Sequence, residues 1–265
     1  MTVSLNYFLS GYKELPTLIL LHGFLGSVHD WQKIAERLSG THRILAVDLP
    51  GHGQSLLSNE NDYTFERTAK LIIEILDREK IVAADITGYS MGGRLALFLA
   101  LRFSTRIRSI TLISASPGLK TDQERHLRRA QDTQLRARLA IDPLETFIDF
   151  WYSQKLFASL IEHEEVFKAI RQSRLNNNAQ GLMNSLKHAG TGAQPSLWPE
   201  LPTIQMPVLL PVGEYDPKFI AIAEEMASLC PSAQLRIIQS AGHALPFEKP
   251  LAICESIEQF LDARH

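Results

Sequence analysis

The chain has 265 residues, 45% of them hydrophobic and 21% charged, with a formal net charge of −2. That length suits one large α/β domain or a domain carrying an insertion, and the near-neutral balance argues against nucleic acid or an anionic membrane as a partner. The first apolar run, Leu18 to Leu21, is far too short for a signal peptide or a membrane span, and Cys230 and Cys254, without CxxC spacing, read as packed thiols in a reducing compartment, so a soluble cytoplasmic protein is expected.

In chain order, Thr17 to Leu21 reads as a buried strand ending at His22-Gly23, Asp30 to Leu38 as a helix, and Arg43 to Val47 as a strand ending at Asp48. Thr64 to Arg78 is a helix with Thr64 as N-cap. Ile81 to Thr87 is a strand, Gly93 to Arg102 a helix, and Ser109 to Ile113 a strand. From about Ser116 to Leu201 no buried strand is legible. That stretch carries helical segments, Gln123 to Ala140, Pro143 to Trp151 and Glu164 to Arg174, then the polar run Asn176-Asn177-Asn178 and three prolines, Pro195, Pro199 and Pro202. The alternation then resumes with a strand, Val208 to Val212, a helix from Pro217 to Leu229 with proline in its first turn, a strand, Gln234 to Ile238, and a helix, Pro250 to Ala263. Continuous apolar runs suit strands buried on both faces and mostly parallel. The expected fold class is therefore α/β, a mostly parallel central sheet with helices on both faces. Its core is residues 1–115 and 202–265, and residues 116–201 form an inserted helical lid.

The most informative stretch is Gly88-Tyr89-Ser90-Met91-Gly92, between a strand and a helix. It is the G-x-S-x-G nucleophile elbow in its required context, a sharp turn that presents a serine hydroxyl above the sheet. The five-residue pattern alone arises by chance on the order of one time in ten in a chain this long, so the rest of the chain decides. An acid should follow a late strand, and Gly213-Glu214-Tyr215-Asp216 follows Val208 to Val212. Asp216, before Pro217, is favoured over its rival Glu214, and it also reads as a helix N-cap. A histidine should follow the last strand, and Ser240-Ala241-Gly242-His243 supplies it; none of the other eight histidines is so placed. Ser90, Asp216 and His243 are the candidate catalytic residues, with the histidine taking the serine proton and the aspartate fixing its tautomer. The oxyanion hole is assigned to the backbone amides of Met91 and of Phe24, in the loop after the first buried strand. His22 reads as structural. The Gly-rich loop Asp48 to Ser55 lacks both the P-loop lysine and the G-x-G-x-x-G spacing, so it reads as an ordered turn at the pocket edge.

Together, His22-Gly23-Phe24, Asp48 to Gly53, Gly88 to Gly92, Asp216 and Ala241-Gly242-His243 resemble the α/β-hydrolase superfamily along nearly the full chain. Finer features resemble one family within it, the 2-succinyl-6-hydroxy-2,4-cyclohexadiene-1-carboxylate synthases of menaquinone and phylloquinone biosynthesis. These are Gly92-Gly93-Arg94, Ser116-Pro117-Gly118-Leu119 with an arginine-rich helix after it, Phe150-Trp151-Tyr152, Phe157 to Leu160, Arg174 to Asn178, and Gly213 to Phe219. The resemblance implies a lyase that abstracts a proton α to a carbonyl and eliminates pyruvate, with no metal and no organic cofactor. It also implies a small substrate bearing several carboxylates, bound by Arg94, Arg128 and Arg174; beside them, Tyr89 in the elbow reads as a substrate-binding pocket wall or hydrogen-bond donor, and Trp151 as a pocket residue whose alternative is the lid core.

The composition of the lid agrees with an anionic ligand: from Lys120 to Ala140 there are six Lys/Arg against three Asp/Glu, and guanidinium forks suit carboxylates. Arg125, Arg129, Arg136 and Arg138 are expected on a solvated helix face. A monomer or weak homo-oligomer is expected. Two rivals are a serine hydrolase acting on a small ester, thioester or C–C bond, and a non-catalytic binding protein. The arginine-bearing lid argues against the first and the complete set of three triad residues against the second.

Overall fold

The structure, a computed structural model, describes residues 3–263. Among these the chain forms one seven-stranded sheet in the order β1-β3-β2-β4-β5-β6-β7. The strands are β1 (Tyr7–Ser10), β2 (Thr17–Leu21), β3 (Arg43–Val47), β4 (Ala84–Tyr89), β5 (Ile107–Ile113), β6 (Val208–Gly213) and β7 (Ala233–Ile238). Only the β1–β3 pairing is antiparallel. The core helices are α1 (Gln32–Leu38), α2 (Phe65–Arg78), α3 (Met91–Arg102), α9 (Pro217–Leu229), the short α10 (Leu245–Glu248) and α11 (Pro250–Asp262). Between β5 and β6 the chain builds α4 (Asp122–Ile141), α5 (Leu144–Tyr152), α6 (Ala158–Ile161), α7 (Glu164–Arg174) and α8 (Ala179–Ala189).

Apolar strands such as Leu18-Ile19-Leu20-Leu21 are buried on both faces, and each face has its own core. Ile19 and Leu21 pack with α2, α3 and α9, whereas Leu18 and Leu20 pack with α1 and α11. The inserted helices have a third cluster around Phe147, Ile148, Leu160 and Leu182, which reaches the core through Leu25 and Ala244. Among the described residues no helix is long and apolar enough to cross a membrane.

Sequence reading and structure differ in places that have physical causes. β1 has no counterpart in the sequence reading: it is a half-exposed edge strand, held by backbone pairing to β3 rather than by an apolar run. β4 starts three residues later than expected and runs through Tyr89, because Ile81 closes the end of α2 (its N–H donates to the Leu76 carbonyl) and Val82 faces solvent. The helix expected from Asp30 begins as a 3-10 turn, Val28–Trp31, and becomes α-helical at Gln32. α8 was masked in the sequence by Gly181, a poor helix former. It is glycine because its backbone abuts that of Gly51, where a Cβ on either residue would collide with the other's carbonyl group.

Candidate active site

β2 lies between β3 and β4, so the chain reverses its direction of winding there, and a ligand crevice is expected beyond the C-terminal ends of these strands. Both key loops leave from that point. β4 runs into Ser90, and β2, paired with β4 as far as Leu21↔Gly88, runs into His22-Gly23-Phe24. Ser90 has φ +50, a left-handed conformation that a non-glycine residue holds only under constraint. The constraint is visible: the Ser90 N–H donates to the Ile113 carbonyl at 2.9 Å, fixing the elbow to β5. A Cβ on Gly88 would strike the Gly92 carbonyl, and one on Gly92 the Leu21 carbonyl, so only glycine admits this turn.

The three residues selected from the sequence meet above the elbow. His243 Nδ1 lies 2.7 Å from Asp216 Oδ2, and His243 Nε2 lies 3.3 Å from Ser90 Oγ. A carboxylate only accepts, so Nδ1 carries the proton and Nε2 is left to accept from the serine. The serine contact is the looser one, as is common before substrate fills a site. His243 and Asp216 are 2% and 4% exposed, which shields the pair from water. Asp216 also caps α9: its Oδ1 accepts from the Phe219 N–H at 3.3 Å, so each oxygen has its own task. Glu214, the rival acid, points elsewhere and accepts from the Ser240 N–H at 2.8 Å, bracing a turn in which Ser240 has φ +53. Met91, as the first residue of α3, has an amide that the helix leaves without an internal acceptor.

Tyr89, Ser90, Trp151, Arg174 and His243 line one cavity with Phe24, Tyr152, Phe157 and Phe247. Trp151 packs on Phe24 with ring centroids 4.8 Å apart. The space is about 50 Å³, room for a few waters and well below the roughly 300 Å³ of ordinary ligand pockets. A larger open groove of about 380 Å³, lined by Lys13, Glu14, Arg43, Lys80 and Arg108 among others, lies at the opposite end of the sheet. It contains none of these groups, and its arginines are already paired, Arg43 with Glu79 and Arg108 with Asp85.

The arginines divide into two groups. Arg174 lines the cavity, but four of its five N–H groups are engaged: two with the Asp30 carboxylate at 2.5 and 2.9 Å, one with Tyr152 Oη at 3.1 Å and one with Ser173 Oγ at 3.2 Å. Burial opposes its charge, and Asp30 and Tyr152 together more than restore it. Arg94 and Arg128 are not part of the cavity wall. Arg94, 8% exposed, donates to Gln194 Oε1 at 2.7 Å and to the Ala189 carbonyl at 3.1 Å, both neutral acceptors. Burial and the like charge of Arg128 push its guanidinium down to about 9, with Asp132 pulling the other way. Arg128 is held by Asp132, and Gln194 Nε2 and Asp132 Oδ2 are buried without a partner beside them. This second cluster is an under-compensated buried cation with spare hydrogen-bonding capacity. Three of the other four α4 arginines do more than face solvent: Arg125 bonds the Leu119 carbonyl, Arg129 the Gly192 carbonyl, and Arg138 lies over Phe150.

Several positioning residues left no clear mark in the sequence. Glu248 accepts from the Gly242 and Ala244 amides at 2.8 and 2.9 Å, clasping His243 from both sides. Asp48 accepts from Val28 N, Asn6 Nδ2 and Gln54 N, tying together the loops after β2 and β3. His22 accepts from the Leu49 N–H through Nε2, so its Nδ1 donates to the Gly23 carbonyl, and burial lowers its basicity, keeping it neutral.

Comparison with known proteins follows the same lines. Residues 16–250 match the α/β-hydrolase fold family. The chain is 39% identical over 253 residues, 95% of its length and 92% of the other's, to a Bacillus subtilis (strain 168) protein provisionally named as a 2-succinyl-6-hydroxy-2,4-cyclohexadiene-1-carboxylate synthase. It is 33% identical over 251 residues to the synthase of that name from Salmonella typhimurium, covering 95% of this chain and 96% of that one. Among solved structures, MenH from S. aureus matches with a TM-score of 0.93 at 33% identity, over 99% of both chains.

Proposed function

This chain belongs to the 2-succinyl-6-hydroxy-2,4-cyclohexadiene-1-carboxylate synthase family of α/β-hydrolase folds, and from that premise we propose how its residues act. The enzyme is a carbon–oxygen lyase. It eliminates pyruvate from 2-succinyl-5-enolpyruvyl-6-hydroxy-3-cyclohexene-1-carboxylate, in menaquinone or phylloquinone biosynthesis. In the proposed mechanism the proton α to the succinyl carbonyl passes, by way of Ser90, to His243 Nε2. Asp216 holds the imidazole and stabilises its positive charge. The Phe24 and Met91 amides receive the negative charge that develops on the carbonyl oxygen. As the carbonyl re-forms, a C2–C3 ring double bond forms, the existing C3–C4 double bond shifts to C4–C5, the C5–O bond to the enolpyruvyl group breaks, and the departing enolate takes a proton to become pyruvate. No water is consumed, and Ser90 forms no bond to carbon.

The observation that carries this reading is the continuous Ser90–His243–Asp216 chain opening into a cavity that also contains Arg174. The cavity is too small for a ring bearing three carboxylates, so α4–α8 act as a lid that moves aside for entry. Arg174 then offers a charge to the substrate from the cavity wall, and Arg94 and Arg128 form a second carboxylate site from the buried cluster. Tyr89 and Trp151 shape the wall between. Mass balance tests the reaction class: the masses of the two products should sum to that of the substrate. A sum larger by one water would identify hydrolysis instead.

A further inference from the structure

The lid touches the oxyanion loop directly. Leu25, fully buried, has φ +66, a region that bulky side chains rarely occupy and that persists only when the surroundings enforce it. The Leu25 carbonyl accepts from Nδ2 of Asn177, just beyond the end of α7, at 2.9 Å, and the same nitrogen donates at 3.1 Å to the carbonyl of Arg174, the last residue of that helix. Two carbonyl acceptors on one nitrogen define which way the amide faces. On the other side of the loop, the Asp30 carboxylate lies against Gly26, where a Cβ would collide with it, and pairs with Arg174. Residues 174–177 of the lid therefore grip the turn that begins with the Gly26 N–H donating to the Gly23 carbonyl. Phe24, between those two glycines, lines the cavity.

We propose that Asn177 is a positioning residue: by holding the Leu25 carbonyl it fixes the strained turn that aims the Phe24 N–H into the site, so lid docking and assembly of the oxyanion hole are one event. This rests on the reading of the Phe24 amide as an oxyanion donor. Asn177 itself stays out of the chemistry.

Two variants test it in the full-length enzyme. Asn177→Ala removes the contact, and Asn177→Asp keeps the volume while replacing the donor with an acceptor. In both, kcat for pyruvate release should fall about 30-fold, less than the 10²–10³ typical of losing an oxyanion donor outright, with KM within about threefold of the parent. Amide hydrogen exchange over residues 22–27 should speed up about tenfold while β4 and α3 stay unchanged. Unchanged exchange over 22–27 in both variants would overturn the proposal. Faster exchange there with normal kcat would overturn the Phe24 assignment on which it rests. Exchange accelerated equally throughout the lid and core would reduce Asn177 to a general structural role and also overturn it.

Discussion

Ser90→Ala and His243→Ala should each lower kcat by roughly 10³-fold or more while leaving the fold intact. The proposed proton-transfer chain rests on two contacts, Ser90 Oγ to His243 Nε2 and His243 Nδ1 to Asp216 Oδ2, and cutting either strands the other. The double variant should be little worse than the poorer single one, because residues that act as a unit do not add. Asp216→Asn should cost less. Asparagine still caps α9 in place of the Oδ1 contact to Phe219, and the imidazole keeps part of its orientation. Pyruvate release measures all three, and near-normal turnover in Ser90→Ala would overturn the triad.

The arginine variants come next in size, and the structure separates their effects. Arg94 has neutral partners and no carboxylate of its own at hydrogen-bonding distance. Arg94→Met keeps the stem and removes the charge, so it should lower kcat/KM by roughly 2–5 kcal/mol, about 30-fold to several thousand-fold, with little loss of thermal stability. Arg174→Ala should lower kcat/KM comparably but also destabilise the protein by about 3–5 kcal/mol, because it leaves Asp30 buried and unpaired. Arg128→Ala should weaken kcat/KM through the second cluster. Arg138→Ala, on a side chain 43% exposed and paired with Asp142, should change kcat/KM less than threefold. Equal small effects at all four positions would mean that the arginines serve only to build the lid.

What the sequence made legible is what local constraint dictates. The elbow shows because a serine at φ +50 between a strand and a helix requires glycines on both sides. Asp216 and His243 show because each follows a strand end, and chain order ranks them. The buried parallel strands show because both faces need apolar side chains. Contacts between distant segments did not show. Asp30 and Arg174 are 144 residues apart and Arg94 and Gln194 100 apart, and in neither pair does local sequence name the partner. That Arg174 lines the cavity while Arg94 and Arg128 sit together away from its wall was not legible either, since helical spacing gives the face of a residue but not what that face meets. β1 was hidden because an edge strand needs only a pairing partner, and Val82 misled because a β-branched residue at the surface carries propensity without burial.

The triad could attack a carbonyl carbon or relay a proton, and the two differ in whether Ser90 is ever covalently modified. The most direct measurement is the intact mass of the enzyme, acid-quenched during steady-state turnover of the pyruvyl-ether substrate and followed by peptide mapping across Ser90. Base catalysis predicts unmodified enzyme at every time point while pyruvate accumulates. An acyl adduct on Ser90 that forms and decays at the turnover rate would contradict it and make this chain a serine nucleophile.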